Sequence, residues 1–494
     1  MINIGAEDYN VLKQQYIKKY IRLELLDFQY NIVDELSGNM TKCSINVDSN
    51  SDLRRSCDLS FVVTTSTFDI KAGSKIFLDK MVRPYVGYEN MRTGEIQWYN
   101  QGIYLVNNPQ WSYNASTNEI SMQALDLMSK LTGLRNGNLE GIPTKIAKDE
   151  NVREAIIKTI ELGGFTKYIC EECKTKDGTI VPVPYDIEID VGGTIYDILT
   201  GLRDIMPNYQ IYFDINGVFH YEPIPLAYDD PVLIDDDLFN NVLISENINT
   251  DFESVKNYVE VLGHTWDVDY YSPSDKTTVS GGTITPTFAD LKELQNDMAV
   301  GITLPRDITN VNKITINFLG NNDVVDIDDK PIKALSKDTE WIFQYVVQTE
   351  GEGESATETK FWRFMGHQQA QAISYDNNPA SPFYVGDPIG SSSVGRIRIV
   401  LYGGEYDNIY SDDLAKQRAD FEIYQRSRLN DSISMETIPI PWMDTNIVIS
   451  HRFGQKQEPS KYIVKSFSVD YATGGTMTIN AITWYPYYEE SEVV

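Results

Sequence analysis

Histidine and cysteine are scarce in this chain, with four of each in 494 residues, and cations are outnumbered: 42 Lys and Arg against 72 Asp and Glu leave a net charge of -30. Each shortage excludes something. Four cysteines are too few for a disulfide scaffold. His220, His264, His367 and His451 are scattered, and none stands at metal-ligand spacing. A surplus of carboxylates argues against holding nucleic acid by neutralising its phosphates. No apolar run of about 18 residues occurs, and the start, Met1-Ile-Asn-Ile-Gly-Ala-Glu-Asp, has neither the basic nor the apolar region of a secretory signal. The expectation is a chain made in a cytoplasm that does not span a membrane. Gly-x-Ser-x-Gly, the phosphate-cradling Gly-x-x-x-x-Gly-Lys-Ser/Thr and His-Glu-x-x-His are all missing. No catalytic, cofactor-binding or metal-binding residue is therefore assigned, and the chain reads as a non-enzyme.

Two smaller patterns invite a metal and fall short. Cys170 and Cys173 form a Cys-x-x-Cys that looks like half a zinc knuckle, but a structural zinc needs four ligands. Cys43 and Cys57 are distant in sequence, so free thiols or a local disulfide is the expectation. Asp323-Val-Val-Asp-Ile-Asp-Asp lacks the central glycine and distal glutamate of a calcium loop. It reads as a solvated acidic loop, as does Asp235-Asp-Asp.

What the chain does have is tyrosine, 31 of them with seven tryptophans, which suits a β-rich protein with extensive subunit contacts. Its length predicts three or four domains. The two ends also repeat each other. Residues 104 to 126 can be laid over 462 to 483, so that Tyr104, Val106 and Tyr113 fall on Tyr462, Val464 and Tyr471 and, after one gap in the turn, Ala124 falls on Ala481. Ile120, Met122 and Ala124 alternate with polar residues, as Met477, Ile479 and Ala481 do, the pattern of a half-buried strand. Upstream, Leu59-Ser-Phe-Val-Val matches Met435-Glu-Thr-Ile-Pro, and Ile70 to Leu78 matches Trp442 to Ile449. Internal duplication accounts for the agreement in strand order and turn position.

The fold class expected is α+β, mainly β, with two barrel-like domains flanking smaller α+β modules. The first barrel spans residues 1–135 and closes in a short helix around Leu125, Met128 and Leu131. Residues 136–245 form a middle module. In it, one helix carries Val152, Ala155, Ile156 and Ile160 and stops at Gly163-Gly164. A second is capped by Thr194 with Asp197 and ended by Pro207, and a hairpin turns at Asn216-Gly217. Residues 246–390 contribute a strand of the second barrel, read at Val255 to Gly263, and an inserted module with a helix through Phe288, Leu291 and Met298. An exposed loop tip follows at Glu350 to Thr359. A helix from Ser411 points Leu414, Phe421 and Tyr424 to a core, and residues 391–494 complete the second barrel.

The run Gln417-Arg-Ala-Asp-Phe-Glu-Ile-Tyr-Gln-Arg-Ser-Arg-Leu, then Glu436-Thr-Ile-Pro-Ile-Pro-Trp-Met-Asp-Thr-Asn, Tyr462-Ile-Val-Lys-Ser-Phe-Ser-Val-Asp and Gly475-Thr-Met-Thr-Ile resembles the C-terminal part of phage baseplate hub proteins. The Asp186 to Thr194 helix start and the Asp214-Ile-Asn-Gly hairpin are similar to the middle module of those hubs. The resemblance implies a homotrimer at the virion tail tip, each chain giving two tail-tube-like barrels. The implied partners are the tail tube or distal tail protein and a central spike, tip or tape measure protein. DNA would pass through without specific binding. The ending at Val494 implies no C-terminal hydrolase or receptor-binding domain. Two other classes stay open: a cell-wall-degrading tail enzyme, which needs paired carboxylates in a cleft, and an adhesin using exposed Tyr and Trp.

Overall fold

In the computed structural model the described residues are 4–37, 40–64, 69–139, 144–174, 178, 180–183, 186–206, 208–225, 231–270, 278–280, 283–285, 299–303, 313–317, 321–325, 340–350, 357–364, 368–379, 384–388, 395–409, 412–428, 430–454, 456 and 458–485. They divide into two units. The first comprises residues 1–255, 378–384 and 426–494, and the second 256–377 and 385–425.

The first unit opens with helix α1 (Ala6–Leu12) and strands β1 (Lys19–Leu26), β2 (Ile32–Ser37), β3 (Met40–Asp48), β4 (Arg55–Val62), β5 (Met81–Glu89), β6 (Ile96–Asn100), β7 (Tyr104–Tyr113) and β8 (Asn118–Asp126). The middle module adds β9 (Thr144–Ile146), α2 (Val152–Leu162), β10 (Tyr168–Cys170), β11 (Ile187–Ile189), α3 (Ile195–Arg203), β12 (Tyr209–Phe213) and β13 (Phe219–Pro223). Next come β14 (Val232–Ile234), α4 (Asp236–Val242) and β15 (Leu243–Asp251). The unit's four last strands, counted on through the whole chain, are β27 (Asn430–Thr437), β28 (Val448–His451), β29 (Ser460–Asp470) and β30 (Met477–Thr483).

Two blocks of these strands share one order. The first runs β3-β4-β8-β7-β5, the second β15-β27-β30-β29-β28, and every ladder in both is antiparallel. The registers agree residue by residue. Val106 faces Ala124 in one block and Val464 faces Ala481 in the other, and on the far side Ala124 faces Cys57 where Ala481 faces Ile433. A bulge follows in each, between Val464 and Ser466 in β29 and one pair later, between Asn107 and Gln110, in β7, bending the two strands at neighbouring points. Tyr104 and Tyr462 are both buried. The duplication read from the hairpins is thus a duplication of strand topology.

The blocks do not close separately into barrels. Beyond its bulge β29 turns its outer edge to β3, pairing Ser466 with Asp48, Phe467 with Val47 and Asp470 with Ser44. The result is one 14-stranded sheet, and among the described residues no sheet closes on itself. One large apolar core joins the blocks, drawing Ile45, Phe61 and Tyr104 from the first and Ile433, Phe467 and Ile479 from the second, with Leu23 of β1 and Tyr471 just after β29; a smaller cluster of Val448, Ile463 and Trp484 is separate from it. Burying each such side chain is worth about 1.5–3 kcal/mol. Polar groups inside are satisfied across the blocks: the Tyr471 hydroxyl donates to Gln101 Oε1 at 2.7 Å, Gln101 Nε2 donates to the Pro441 carbonyl at 2.9 Å, and the Tyr88 hydroxyl donates to the Pro439 carbonyl at 2.8 Å.

The second unit is built on β16 (Tyr258–Thr265), flanked by β25 (Gln369–Tyr375) and β26 (Arg398–Leu401), with α5 (Asp412–Arg426) packed on it. Its other sheet has the order β17-β20-β23-β24-β22-β21-β19-β18. These are β17 (Val268–Tyr270), β18 (Thr278–Ser280), β19 (Thr283–Thr285), β20 (Ala299–Thr303), β21 (Lys313–Asn317), β22 (Asn321–Val325), β23 (Glu340–Glu350) and β24 (Thr357–Phe364).

Several expectations change. The strand at Val255 to Gly263 is β16 of the second unit, and the strand that opens the second block is β15, whose polar sequence hid it. Residues 391–425 fall in the second unit. Ile70 to Leu78 forms turns, and the counterpart of β28 is β5, because Met81 faces Leu105 as Val448 faces Ile463. Around Leu125 the strand continues to Asp126, which accepts from Met128 N and caps a 3-10 turn instead of a helix. On α5 the buried apolar positions are Ala415, Ala419 and Tyr424, with Leu414 and Phe421 only half-buried. Helices α2 and α3 stand as read, the latter with Thr194 and Asp197 capping each other. The Phe288 to Met298 helix, Pro207, Asp326 to Asp329 and the loop 351–356 lie outside the described residues.

Ala124 and Ala481 are 0% and 1% exposed at matched positions. Ala124→Leu and Ala481→Leu should each destabilise the protein by about 1–3 kcal/mol through overpacking. Denaturant unfolding of the two variants checks this; tolerance of either would mean that the matched alanines do not sit at equally tight places.

Candidate functional site

Where β4 begins, two consecutive arginines go inward. Arg54 and Arg55 are 6% and 5% exposed, and such burial of charge is tolerated only with full pairing. Arg54 Nε donates to Thr445 Oγ1 at 2.8 Å, Nη2 to the Thr445 carbonyl at 3.2 Å and Nη1 to Gln210 Oε1 at 3.0 Å, while the guanidinium lies 4.0 Å above the Tyr212 ring. Arg55 pairs with Asp444 at 2.5 Å, and its backbone N–H donates to Asp126 at 3.1 Å. Burial pushes the Asp126 carboxyl up despite these donors. Lys465, at the β29 bulge, is pushed down to about 8 by burial and by the neighbouring Arg54 and Arg428. This junction fastens the first block, the 444–446 loop of the second and the middle-module hairpin to one another.

The hairpin extends it. Tyr212 donates to Glu222 Oε1 at 2.7 Å and stacks on His220 at 4.9 Å. His220 Nδ1 is 3.0 Å from Glu222 and Nε2 is 3.6 Å from Asp214, which also accepts the N–H groups of Asn216 and Val218 in the Asn216-Gly217 turn. Burial alone would lower the affinity of His220 for its second proton, but the two carboxylates outweigh it and hold the imidazolium up to about 9. Burial acts to raise Asp214 and Glu222 too, yet the facing His220, with the turn amides on Asp214 and the Tyr212 hydroxyl on Glu222, keeps both below the ordinary range. A charged histidine between two ionised carboxylates offers neither a free base nor a protonated acid at neutral pH. The arrangement is a clamp. His451 is buried, 2.6 Å from Glu246 and 3.4 Å from Asp236. His264 is shifted down by burial, and His367 lies outside the described residues.

All four thiols are free. Cys43 and Cys57 are inside the sheet core, apart from the strand bearing Cys170; burial pushes Cys170 up to about 12 and Cys173 up to about 11. Among the described residues no three His, Cys, Asp or Glu side chains gather to hold a metal, and no helix is long and apolar enough to cross a membrane.

The broadest feature is the solvent face of the joined sheet. Residues alternating with the core present Asn249 and Asp251 on β15, Ser434 and Glu436 on β27, Asn480 on β30, Ser468 on β29, Asn46 on β3, Asp58 on β4 and Gln123 on β8. Over these strands, beyond the β29 bulge and among the described residues, Lys42 is the one cation on that face, 3.9 Å from Asp58. Short neutral groups and carboxylates make the face smooth and non-cationic. The sequence contained this as strand alternation, but only pairing put the strands side by side. The arginine junction had a faint signal, two adjacent arginines opening an apolar strand.

Comparison with known proteins follows the same chain course. A domain of unknown function, DUF5048, matches residues 381–488. No curated protein is matched by sequence. Among solved structures the chain is similar to a 43 kDa tail protein of prophage MuSo2 from Shewanella oneidensis, at 11% identity and TM-score 0.48, with 94% of this chain and 98% of that one covered. It is also similar to a tail protein from Neisseria meningitidis MC58, at 8% identity and TM-score 0.47, covering 94% and 96%. A third is prophage tail protein gp18 from Listeria monocytogenes EGD-e, at 8% and 0.42, covering 93% and 94%.

The clamp has a pH signature. Because His220 binds its proton more tightly folded than unfolded, its contribution is fully present below the unfolded value of about 6.5 and is lost as pH rises through about 9. Stability should decline as pH rises from 6.5 towards 8, where Lys465 begins to add a slope of opposite sign, and His220→Gln should flatten the decline in denaturant unfolding. An unchanged slope would remove the clamp. Separately, Asp444→Ala should cost about 3–5 kcal/mol by stranding the Arg55 charge, read as a fall in melting temperature.

Proposed function

We propose that this chain is a structural hub of a phage-type tail or baseplate, capping the distal tail tube at the virion tail tip and forming part of the DNA conduit. Two observations support the reading: the ordered resemblance of its segments to baseplate hubs, and the folded duplication itself. A three-fold tip that meets a six-fold tube needs six similar surfaces from three chains, and one chain carrying two matched blocks edge to edge supplies two of the six. In this reading each block is the tail-tube-like barrel element, closure comes from neighbouring chains, and the chain is a homotrimer made in the host cytoplasm. The tube or distal tail protein lies above, and a central spike, tip or tape measure protein lies below.

The observation that carries the conduit is the solvent face of the joined sheet. DNA that must slide needs a wall without lysine and arginine, since each phosphate contact holds it. A face of Asn, Ser, Gln and carboxylates meets that need, and like-charge repulsion acts within about 8 Å at physiological salt. The chain is read as a non-enzyme: the one close pair of carboxylates at the junction is ionised and occupied by His220, whereas glycan cleavage needs an acid of raised pKa.

Mass photometry with negative-stain class averages should give a three-chain ring with pseudo-six-fold features. A stable monomer at micromolar concentration in analytical ultracentrifugation counts against the hub. Purified protein should show no measurable binding to double-stranded DNA even at low salt. Low-salt binding that weakens steeply as salt is added would overturn the conduit and leave the hub standing. Cell-wall clearing in zymography would instead favour a tail enzyme, and whole-cell binding an adhesin.

A further inference from the structure

The joint between the blocks is half of a pattern that the chain leaves open at both ends. Within the chain, β29 beyond its bulge is paired on one side to β30 and on the other to β3. Its counterpart β7, from Asn107 on, is laddered among the described residues on one side, to β8, since β5 reaches only Leu105 and Tyr104. The counterpart of β3 is β15, likewise laddered on one side, to β27. One chain therefore carries the two edges that its own internal joint brings together: β15, at one end of the sheet, and the stretch of β7 beyond Asn107, whose earlier residues carry the sheet on to β5.

The edges match their templates in sequence as well as position. Ile45 faces Cys57 and Ile248 faces Ile433, so β3 and β15 align as Ile45-Asn46-Val47-Asp48 upon Ile248-Asn249-Thr250-Asp251. Gln110 faces Ser121 and Ser468 faces Thr478, so Gln110 stands for Ser468. We infer that β7 of one chain, from Gln110 on, pairs antiparallel with β15 of a second copy in the register of the internal joint, placing Gln110 opposite Asn249 and Ser112 opposite Asn247. Trp111 then stands opposite Ile248 as Val469 stands opposite Ile45. Pro109 takes the place of Phe467 and lacks an N–H, so one rung is lost; an edge proline also blunts indiscriminate pairing. The contact is heterologous, head to tail, and so generates a ring if the rotation closes. The number of copies rests on the hub reading; the register does not.

The internal joint also fixes the hydrogen-bond phase. Ser49 N donates to the Lys465 carbonyl at 2.9 Å and Tyr471 N to the Cys43 carbonyl at 3.0 Å, which makes Ser468 and Asn46 a non-hydrogen-bonded pair. Side chains at such pairs stand about 4.5–5.5 Å apart at Cβ, near enough for a disulfide after a small shift.

Full-length Gln110→Cys and Asn249→Cys chains, both carrying Cys170→Ser to remove the most accessible native thiol, are mixed and oxidised. A covalent dimer containing one of each is expected, absent from either alone and from Gln110→Cys mixed with Ser245→Cys, four residues out of register. A chain bearing both substitutions should link into closed rings, of three chains if the hub stoichiometry holds. Ile248→Lys, on the edge strand, should weaken self-association at least tenfold. Self-association without preference for 110–249 over 110–245 overturns the register and leaves the hub intact. In-register rings of another size keep the register and overturn the three-chain hub, and a persistent monomer that never cross-links overturns both.

Discussion

The ladder between β29 and β3 is the contact on which the rest of the first unit depends. Without it there are two half-sheets, each with an exposed edge and an uncovered apolar face. With it, Phe467 and Val469 meet Val47 and Ile45, the two cores become one, and the polar faces line up into a continuous surface. Main-chain hydrogen bonds carry no side-chain identity, so two blocks with few residues in common can share a joint. Apolar alternation holds the register, since a slip of one residue would turn Ile45 and Val47 to solvent.

The arginine junction performs a different task. Backbone ladders tolerate sliding and bending; buried charges do not, because each displaced partner leaves a desolvated ion. Arg54 and Arg55 reach the 444–446 loop and the β12–β13 hairpin at once, and the Tyr212, Glu222, His220 and Asp214 chain carries that constraint to the hairpin tip. Placing such a network where three segments of distant sequence meet makes their relative positions specific. The same network leaves these carboxylates occupied: each is committed to a cation or a turn amide.

On the proposed reading, a hub that conducts DNA has to be rigid where it joins its neighbours and indifferent where DNA slides. The two faces of one sheet would divide these demands between them. The inner residues of each strand build the core and fix curvature; the outer ones, Asn, Ser, Gln and Asp in the main, set the field. The excess of 30 negative charges is consistent with that division, and the near absence of cations along the central strands is more specific than the total.

The sequence by itself determined the local elements. Alternation marked the strand pairs 104–113 with 118–126 and 462–470 with 477–483, and it marked their kinship, because period-two burial and a shared Val, Tyr and Ala survive divergence. Caps marked α3, and Asn216-Gly217 marked its hairpin. The strand β15 was illegible for a physical reason: an edge strand needs few apolar residues, so Ser-Glu-Asn-Ile-Asn-Thr-Asp reads as a loop until its partner is seen, although Ile-Asn-Thr-Asp repeats Ile-Asn-Val-Asp. Barrel closure was over-read, since alternation states which face is buried and not which edges meet. Only the tertiary structure decided that β29 pairs with β3, that Arg54 and Arg55 are internal, and that His220 lies between two carboxylates. The first two are contacts between residues 71 to 426 positions apart, where chain entropy favours no partner and packing alone selects one; the third joins residues close in sequence that the folded hairpin brings together.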